Sequence, residues 1–413
     1  MRSFTRNTTV GCGFLVRFVL FLALVLPACG EIDAPGRESL TSLPGALAGC
    51  EGDYNLDYHE QRGKLDICSI EDQLPETINI LINWGNRPNW IDNDSFVFLS
   101  NAVGDVYRMD LRSNTVRLLT GHFAHSGFAR VHVLSNGDLL LHGPHSGPQP
   151  PTDPLVIYEK GRFNGYMSIL KAPYDGLPIP LNVHAWEGIA VSRESDLIAW
   201  SDTDKPFFGA NIIETGLNYI FGHSNLWTGV LIYDDNGIPA ITQRKKILCK
   251  QCRWGDFTFY EPQDFKGTED QKLLFSAYGP TAEGSSDMFV YNFKKGKTVK
   301  KPADPLGYNE WEGIHPQYDR AFYERDPDAS NFSGPEHIDS WIWNFSTKSP
   351  QAFSRFRRED GFSIGNAVFS PDGWWVLMSA DSPLGNERNT PGYSVGIVLI
   401  DYKSWEANPE VLE

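Results

Sequence analysis

Three glutamates recur in one local frame along the chain: Trp186-Glu187-Gly188-Ile189, Tyr260-Glu261-Pro262-Gln263 and Trp311-Glu312-Gly313-Ile314. Carboxylates brought to one place repel, so one of them holds its proton to higher pH, as a general acid must. Glu187, Glu261 and Glu312 are therefore candidate catalytic residues. Glycoside hydrolysis needs two such groups about 5 to 10 Å apart, one as acid and the other as base or nucleophile. The same three could instead share a hard cation such as calcium. Apart from such an ion, the motifs point to no cofactor and no dedicated metal centre. A plainer assignment pairs each glutamate with an arginine that pins neighbouring units together.

Aligned in the same frame, Arg87, Arg130 and Asn366 take the corresponding places in other units. They join the glutamates as candidate ligand-binding residues. Trp186, Tyr260 and Trp311 offer aromatic faces on which a sugar ring can stack, as do Trp254 and Tyr308. His122, His125, His132, His142 and His145 cluster in the sequence, and His184 and His315 flank two of the glutamate motifs. His184, three residues before Glu187, is the best single histidine. No H-x-H or H-E-x-x-H spacing supports metal ligation. Phosphate-cradling, dinucleotide and G-x-S-x-G nucleophile motifs are likewise missing.

The elements that must position these residues are short strands. Turn residues recur every 8 to 12 positions or so after Trp84, with almost no helical periodicity, which argues for an all-β fold. The clearest unit enters through Asn366 to Phe369, turns at Ser370-Pro371-Asp372-Gly373, and returns through Trp374 to Ala380. A third strand follows over Val395 to Asp401. Pro presets φ and Gly accepts positive φ, as a tight hairpin requires. The first unit repeats the plan at Asn89–Ile91, Phe96–Ser100, Asp105–Leu111 and Thr115–Leu119. Further units begin near Phe128, Trp186, Glu261 and Trp311. Their second strands read DLLLHG, DLIAWS, KLLFSA and RAFYER; their third strands read LVIYEK, GVLIYD, MFVYNF and SWIWNF. Six units of about 40 to 60 residues are the pattern of a six-bladed β-propeller of four-stranded antiparallel blades. The stretch from Phe207 to Leu226 leaves room for a seventh. The last unit shows three strands, and Thr77 to Ile82, which alternates in the strand period, is expected to supply its outer one. The glutamates, arginines and Asn366 are then expected to ring the mouth of the central channel.

The N-terminal end reads as an export signal. Arg2, Arg6 and Arg17 form a basic leader, and Phe18 to Leu26 is an apolar run too short to span a bilayer. The run ends in Leu26-Pro27-Ala28-Cys29-Gly30, which resembles a bacterial lipobox and makes Cys29 the expected lipidation site; the alternative is plain secretion. The expected organisation is a signal peptide over 1–28, a lipidated tether over 29–48, a segment with the closing strand over 49–83, and the propeller over 84–413. The chain has a formal net charge of −16, and loss of the three leader arginines makes the rest more acidic still. Such a field repels nucleic acid and anionic lipid surfaces. A monomer held in the envelope of the cell by its lipid anchor alone is expected, at the outer membrane, with a small molecule, a glycan or an envelope protein as its partner. In that oxidising compartment Cys50 is expected to pair with Cys68, and Cys249 with Cys252.

The run FSPDGWWVLMSAD with a downstream VGIVLIDY resembles the repeat of TolB-like (PD40-type) propellers. The wider pattern YNEWEGIHPQYDRAFYERD, HIDSWIWNF and GNAVFSPDGWWVLMSAD is similar to a subgroup that includes fungal saponin hydrolases, as is Cys249-x-x-Cys252 followed by YEPQDF. The first resemblance implies a propeller that binds a ligand or partner at its channel mouth. The second implies a secreted glycoside hydrolase using paired glutamates. A purely structural envelope scaffold is the third alternative, since fold alone does not set function.

Overall fold

The computed structural model describes residues 77–82, 84–144, 165–186, 188–203, 224–249, 259–266, 272–278, 286–301, 307–326, 338–354, 363–381 and 394–409. Strand β1 (Ile78–Ile82) comes first in the chain but belongs to the last blade. Blade one is β2 (Asn86–Asp92), β3 (Ser95–Leu99), β4 (Val106–Asp110) and β5 (Thr115–Leu118). Blade two is β6 (Arg130–Val133), β7 (Leu139–Gly143), β8 (Gly165–Leu170) and β9 (Ile179–Ala185). Blade three is β10 (Ile189–Val191), β11 (Leu197–Thr203), β12 (Ser224–Tyr233) and β13 (Pro239–Cys249). Blade four is β14 (Phe259–Lys266), β15 (Lys272–Tyr278), β16 (Ser286–Asn292) and β17 (Lys297–Lys300). Blade five is β18 (Tyr308–Ile314), β19 (Arg320–Asp326), β20 (Asp339–Asn344) and β21 (Ser349–Ala352). Blade six is β22 (Ser363–Phe369), β23 (Trp375–Asp381), β24 (Ser394–Asp401) and, outermost, β1.

All six sheets are antiparallel and four-stranded, and the first strands touch in the cycle β2, β6, β10, β14, β18, β22 and back to β2. The ring closes because β1 pairs antiparallel with β24, Ile78 opposite Ile400 and Ile80 opposite Val398. The architecture is therefore a six-bladed propeller, and no seventh blade occurs among the described residues. The third strand of blade two is Gly165–Leu170 rather than the LVIYEK run, which lies outside the described residues.

Burial explains why these segments hold their places. Second strands such as β3 and β7 are buried at every residue, because both faces of a blade pack on neighbours. The outermost β5 is exposed throughout. Phe322, Phe353, Phe369 and Ile400 are fully enclosed at the junction of blades five and six, and each such side chain contributes about 1.5 to 3 kcal/mol. Helix α1 (Tyr402–Ala407), capped by the Asp401 side chain on the Ser404 N–H, adds Tyr402 and Trp405 to that core. No helix among the described residues is long and apolar enough to cross a membrane.

The turn at Ser370 follows its sequence. Gly373 sits at φ +75° and donates its N–H to Ser370 O at 2.9 Å, while Ser370 Oγ donates to Asp372 at 2.6 Å. His315 of blade five packs beneath it, bonded to Gly373 O at 3.1 Å.

Candidate functional site

The first strands of several blades are not regular. Extra residues interrupt the ladder between Asn86 and Asn89, Pro262 and Asp264, Trp311 and Ile314, and Gly365 and Val368. A β-bulge of this kind re-aims the side chains it carries. Arg87 and Asn366 sit in their bulges at φ 53° and 55°, a left-handed conformation that non-glycine residues adopt at a cost. Glu312 lies midway along β18 and Asn366 midway along β22. Arg87, Arg130, Glu312 and Asn366 thus line one central cavity.

Within this channel the acids gather on blade five. Glu310 and Glu312 are two residues apart on β18 and so share one side of the strand. Glu324 on β19 stands directly opposite Glu310 in the ladder. The three carboxylates offer oxygens that all lie within 4.8 Å of one another. Gln263 Nε2 donates to Glu310, and the Tyr308 hydroxyl lies against Glu310 and 3.2 Å from Glu324 Oε2. The backbone N–H of Asn366 donates to Glu324 Oε1 at 2.7 Å. Gly365 makes room for that carboxylate, since a Cβ there would meet Glu324 Oε1 at 2.1 Å. Gly313 of the W-E-G-I motif serves a similar need: a Cβ would strike Ala367 O of blade six at 2.6 Å.

Crowding sets the protonation of this cluster. Burial first, then the charges of Glu261 and Glu324, push the Glu310 carboxyl well above its ordinary range. Burial first, then Glu324 and Glu310, do the same to Glu312. Glu324 is also raised by burial, against the lowering effect of the Asn366 N–H and of a hydrogen bond with Glu312. A hydrogen bond between two carboxyl groups requires a proton on one of them. Glu312 keeps partial exposure on the wall of the central cavity; Glu310 and Glu324 are buried.

Glu261 behaves differently. Its Oε1 takes an ion pair at 2.7 Å from Arg130, which reaches across from blade two, and its Oε2 accepts the Tyr278 hydroxyl at 3.0 Å. Glu261 is thus paired with an arginine, as the plainer assignment made from sequence has it, but the pair spans the cavity between blades two and four and does not pin neighbouring blades. Arg87 donates Nη1 to Ala129 O at 2.6 Å, tying blade one to blade two. The cavity between these residues measures about 70 Å³ and is lined by Arg87, Arg130, His132, Arg193, Glu312 and Asn366 among others. Whole-ligand pockets usually span about 300 to 1,000 Å³. This one accommodates an ion, a few waters or a single polar group.

Several sequence candidates lie elsewhere. Trp186, Tyr260 and Trp311 are buried in the packing between strands and blades, with Trp311 Nε1 donating to Phe289 O at 3.0 Å, so their rings present no face to the channel. His184 sits on β9, the outer strand of blade two, edge-on to Tyr166 at 5.4 Å. His315 is a core residue, its Nδ1 accepting the Gln317 and Tyr318 N–H groups and its pKa pushed down to about 4 by burial. Cys249 ends β13 as a buried residue. Glu187, Trp254, His145, Cys29, Cys50, Cys68 and Cys252 lie outside the described residues.

Glu310 and Glu324 were missed by motif reading. The signal for Glu310 is its two-residue spacing from Glu312. The signal for Glu324 is that RAFYER places Glu where KLLFSA and WVLMSA place Ser.

No protein-family profile matches the chain, and no curated protein matches it. Solved propellers do. An oligogalacturonate lyase in complex with manganese matches at TM-score 0.46 and 12% identity, over 79% of this chain and 76% of that one. TolB from Acinetobacter baumannii matches at 0.42 and 10%, over 81% and 66%. The propeller domain of the Trilobed protease from Pyrococcus furiosus matches at 0.42 and 8%, over 76% and 84%. The likeness is one of fold. None of these three is a saponin hydrolase, so the finer resemblance seen in the sequence has no counterpart among them.

Proposed function

We propose that the protein binds a small charged ligand inside its propeller channel, with a hard divalent cation held by Glu310, Glu312 and Glu324. The observation that carries this reading is the packing of three carboxylates around one point, two of them buried. Oxygen ligands sit about 2.3 to 2.6 Å from calcium, so two on opposite sides of the ion lie about 4.6 to 5.2 Å apart. The 4.8 Å limit of the cluster fits that span. An all-carboxylate donor set favours calcium, magnesium or manganese over softer metals. The cation would neutralise the cluster and offer its remaining coordination sites to the ligand.

The export leader and the Cys29 motif support placing this activity at the cell envelope, on a monomer held by its lipid anchor, and Cys29→Ala should move the protein to the soluble fraction. The geometry favours ligand binding over glycoside hydrolysis. Glu261 is held by Arg130 and Tyr278, and the cavity, about 70 Å³, is far smaller than a sugar-binding pocket, although the blade-five spacing is near that of a retaining pair.

Calorimetric titration of the full-length chain in detergent with calcium and with manganese tests the reading. Binding with about one ion per chain is expected, weakened at least tenfold by Glu312→Gln and by Glu324→Gln. No heat with either ion, or binding that both variants leave intact, would sink it.

A further inference from the structure

The cavity wall away from the carboxylates has its own chemistry. Arg87, Arg130, His132 and Arg193 all face the same space, three of them guanidiniums that stay charged at any ordinary pH. Arg193 sits in the turn after β10, where it is exposed, and donates Nη1 to Phe369 O of blade six at 2.9 Å. It makes no ion pair with a carboxylate among the described residues. His132 Nε2 is shut away from solvent and has no hydrogen-bond partner among the described residues. The ring cannot compensate by taking up a proton. Burial, then the charges of Arg130, His142, Arg87 and Arg193, push its pKa down to about 3, so it stays neutral.

His132 Nε2, sealed and without a partner among the described residues, lies on the same small cavity as the Arg87, Arg130 and Arg193 guanidiniums, and an oxyanion is the acceptor that suits both kinds of donor. Buried polar groups in native proteins are nearly always satisfied, and a guanidinium fork matches the paired oxygens of a carboxylate or phosphate. We propose that this wall binds the oxyanion group of the channel's ligand, with Arg193 and the His132 Nε2–H as donors. The cavity, about 70 Å³, holds one such group and leaves the rest of a larger ligand outside it. The inference rests on the channel being a ligand site, and adds the ligand's chemical class: a small oxyanion, or the acid group of an organic molecule.

The test titrates the full-length chain in detergent with inorganic phosphate, acetate and glucuronate, on the wild type, Arg193→Gln and His132→Leu. Arg193→Gln changes an exposed turn residue, so it reports even where the buried His132 variant folds poorly. At least one probe should bind, and each variant should weaken it about tenfold, the scale of one lost charge-assisted contact. Phosphate binding tightest supports a free inorganic anion as the source. Glucuronate binding tighter than acetate supports the acid group of a larger ligand. No binding of any probe at millimolar concentration, or equal binding by wild type and Arg193→Gln, overturns the proposal. Calcium is titrated in parallel: retained calcium binding with no anion binding removes this inference alone, and anion binding without calcium binding removes only the cation reading.

Discussion

Glu324 Oε1 accepts the backbone N–H of Asn366 at 2.7 Å, and so joins blade five to the bulge in the first strand of blade six. The same position of the second strand does comparable work in other blades. Ser379 Oγ accepts the Arg87 N–H at 3.0 Å, and Ser276 Oγ accepts the Trp311 N–H at 2.9 Å. Glu324 thus keeps an inter-blade bond that serine makes elsewhere, and brings a carboxylate into the channel as well.

That double role separates two substitutions. Glu324→Ser retains a short acceptor near Asn366 and should leave stability close to wild type, while calcium binding is lost. Glu324→Leu removes the acceptor and strands a buried N–H, at a cost of about 1 to 3 kcal/mol relative to the serine variant. Urea denaturation of the two variants side by side measures the difference. Equal stability would show that the Asn366 bond contributes nothing.

The raised carboxyls of Glu310, Glu312 and Glu324 also set how stability varies with pH. Between the usual carboxylate value near 4.5 and their elevated folded values, the folded chain holds more protons than the unfolded chain. Unfolding free energy therefore falls as pH rises through that window. Their stabilising contribution is complete below about pH 4.5 and is lost as pH climbs past the folded values. A hydrogen bond from Tyr278 and the charge of Arg130, which lower Glu310, soften the fall without reversing it. His132 and His315, lowered to about 3 and about 4 when folded, act in the opposite sense below about pH 6.5. The measurement is therefore the Tm difference between wild type and Glu312→Gln in chelator from pH 5 to pH 8. The wild type should lose Tm relative to the variant, and calcium should restore it at the upper end. A flat difference in chelator would mean that the cluster does not hold extra protons when folded.

How much of this was legible in the residues follows from what each pattern encodes. Period-two alternation and the Ser-Pro-Asp-Gly turn report local backbone geometry, and they located five of the six third strands and the Ile78–Ile82 segment that closes the ring. The W-E-G-I frame reports spacing along one strand, which led to Glu312 and Glu261. It could not reveal that Glu310 and Glu324 face each other, because that pairing is set by the register between β18 and β19. Nor could it show which side of the strand meets the cavity, because the enclosure of Trp311 is set by its contact with β16, where its Nε1 donates to Phe289 O.

The Arg130–Glu261 pair carries a prediction about the channel itself. Both side chains are largely buried, 16% and 4% exposed, and they link blades two and four across the cavity. Arg130→Met leaves Glu261 charged and enclosed, which costs about 3 to 5 kcal/mol, whereas replacing both partners with apolar residues is often neutral. The double variant Arg130→Met/Glu261→Met should therefore recover most of the loss. Chemical denaturation of the two singles and the double gives the coupling directly. Additive losses would show that the pair does not act as a unit.

The closing strand carries the last prediction. Ile78 and Ile80 are buried on one side of β1 in the core shared by blades five and six, while Asn79 and Leu81 are only partly buried. The register shifts before Ile82, which lies opposite Ile397. Ile80 packs into the core shared by blades five and six and lies opposite Val398. Ile80→Ala removes apolar contact in that core and should cost about 2 to 5 kcal/mol, the range for large-to-small changes at buried sites. Leu81→Ala, on the other side of the strand, should cost clearly less. The ring has one junction where the chain's early residues meet its late ones, so loosening β1 should expose β24 before the other blades unfold. Limited proteolysis near Ser394 to Asp401, run below the melting temperature, reads that opening. A cleavage rate equal to wild type in Ile80→Ala would indicate that the ring stays shut without this contact, with the inner-strand contacts between β2 and β22 sufficing to hold it.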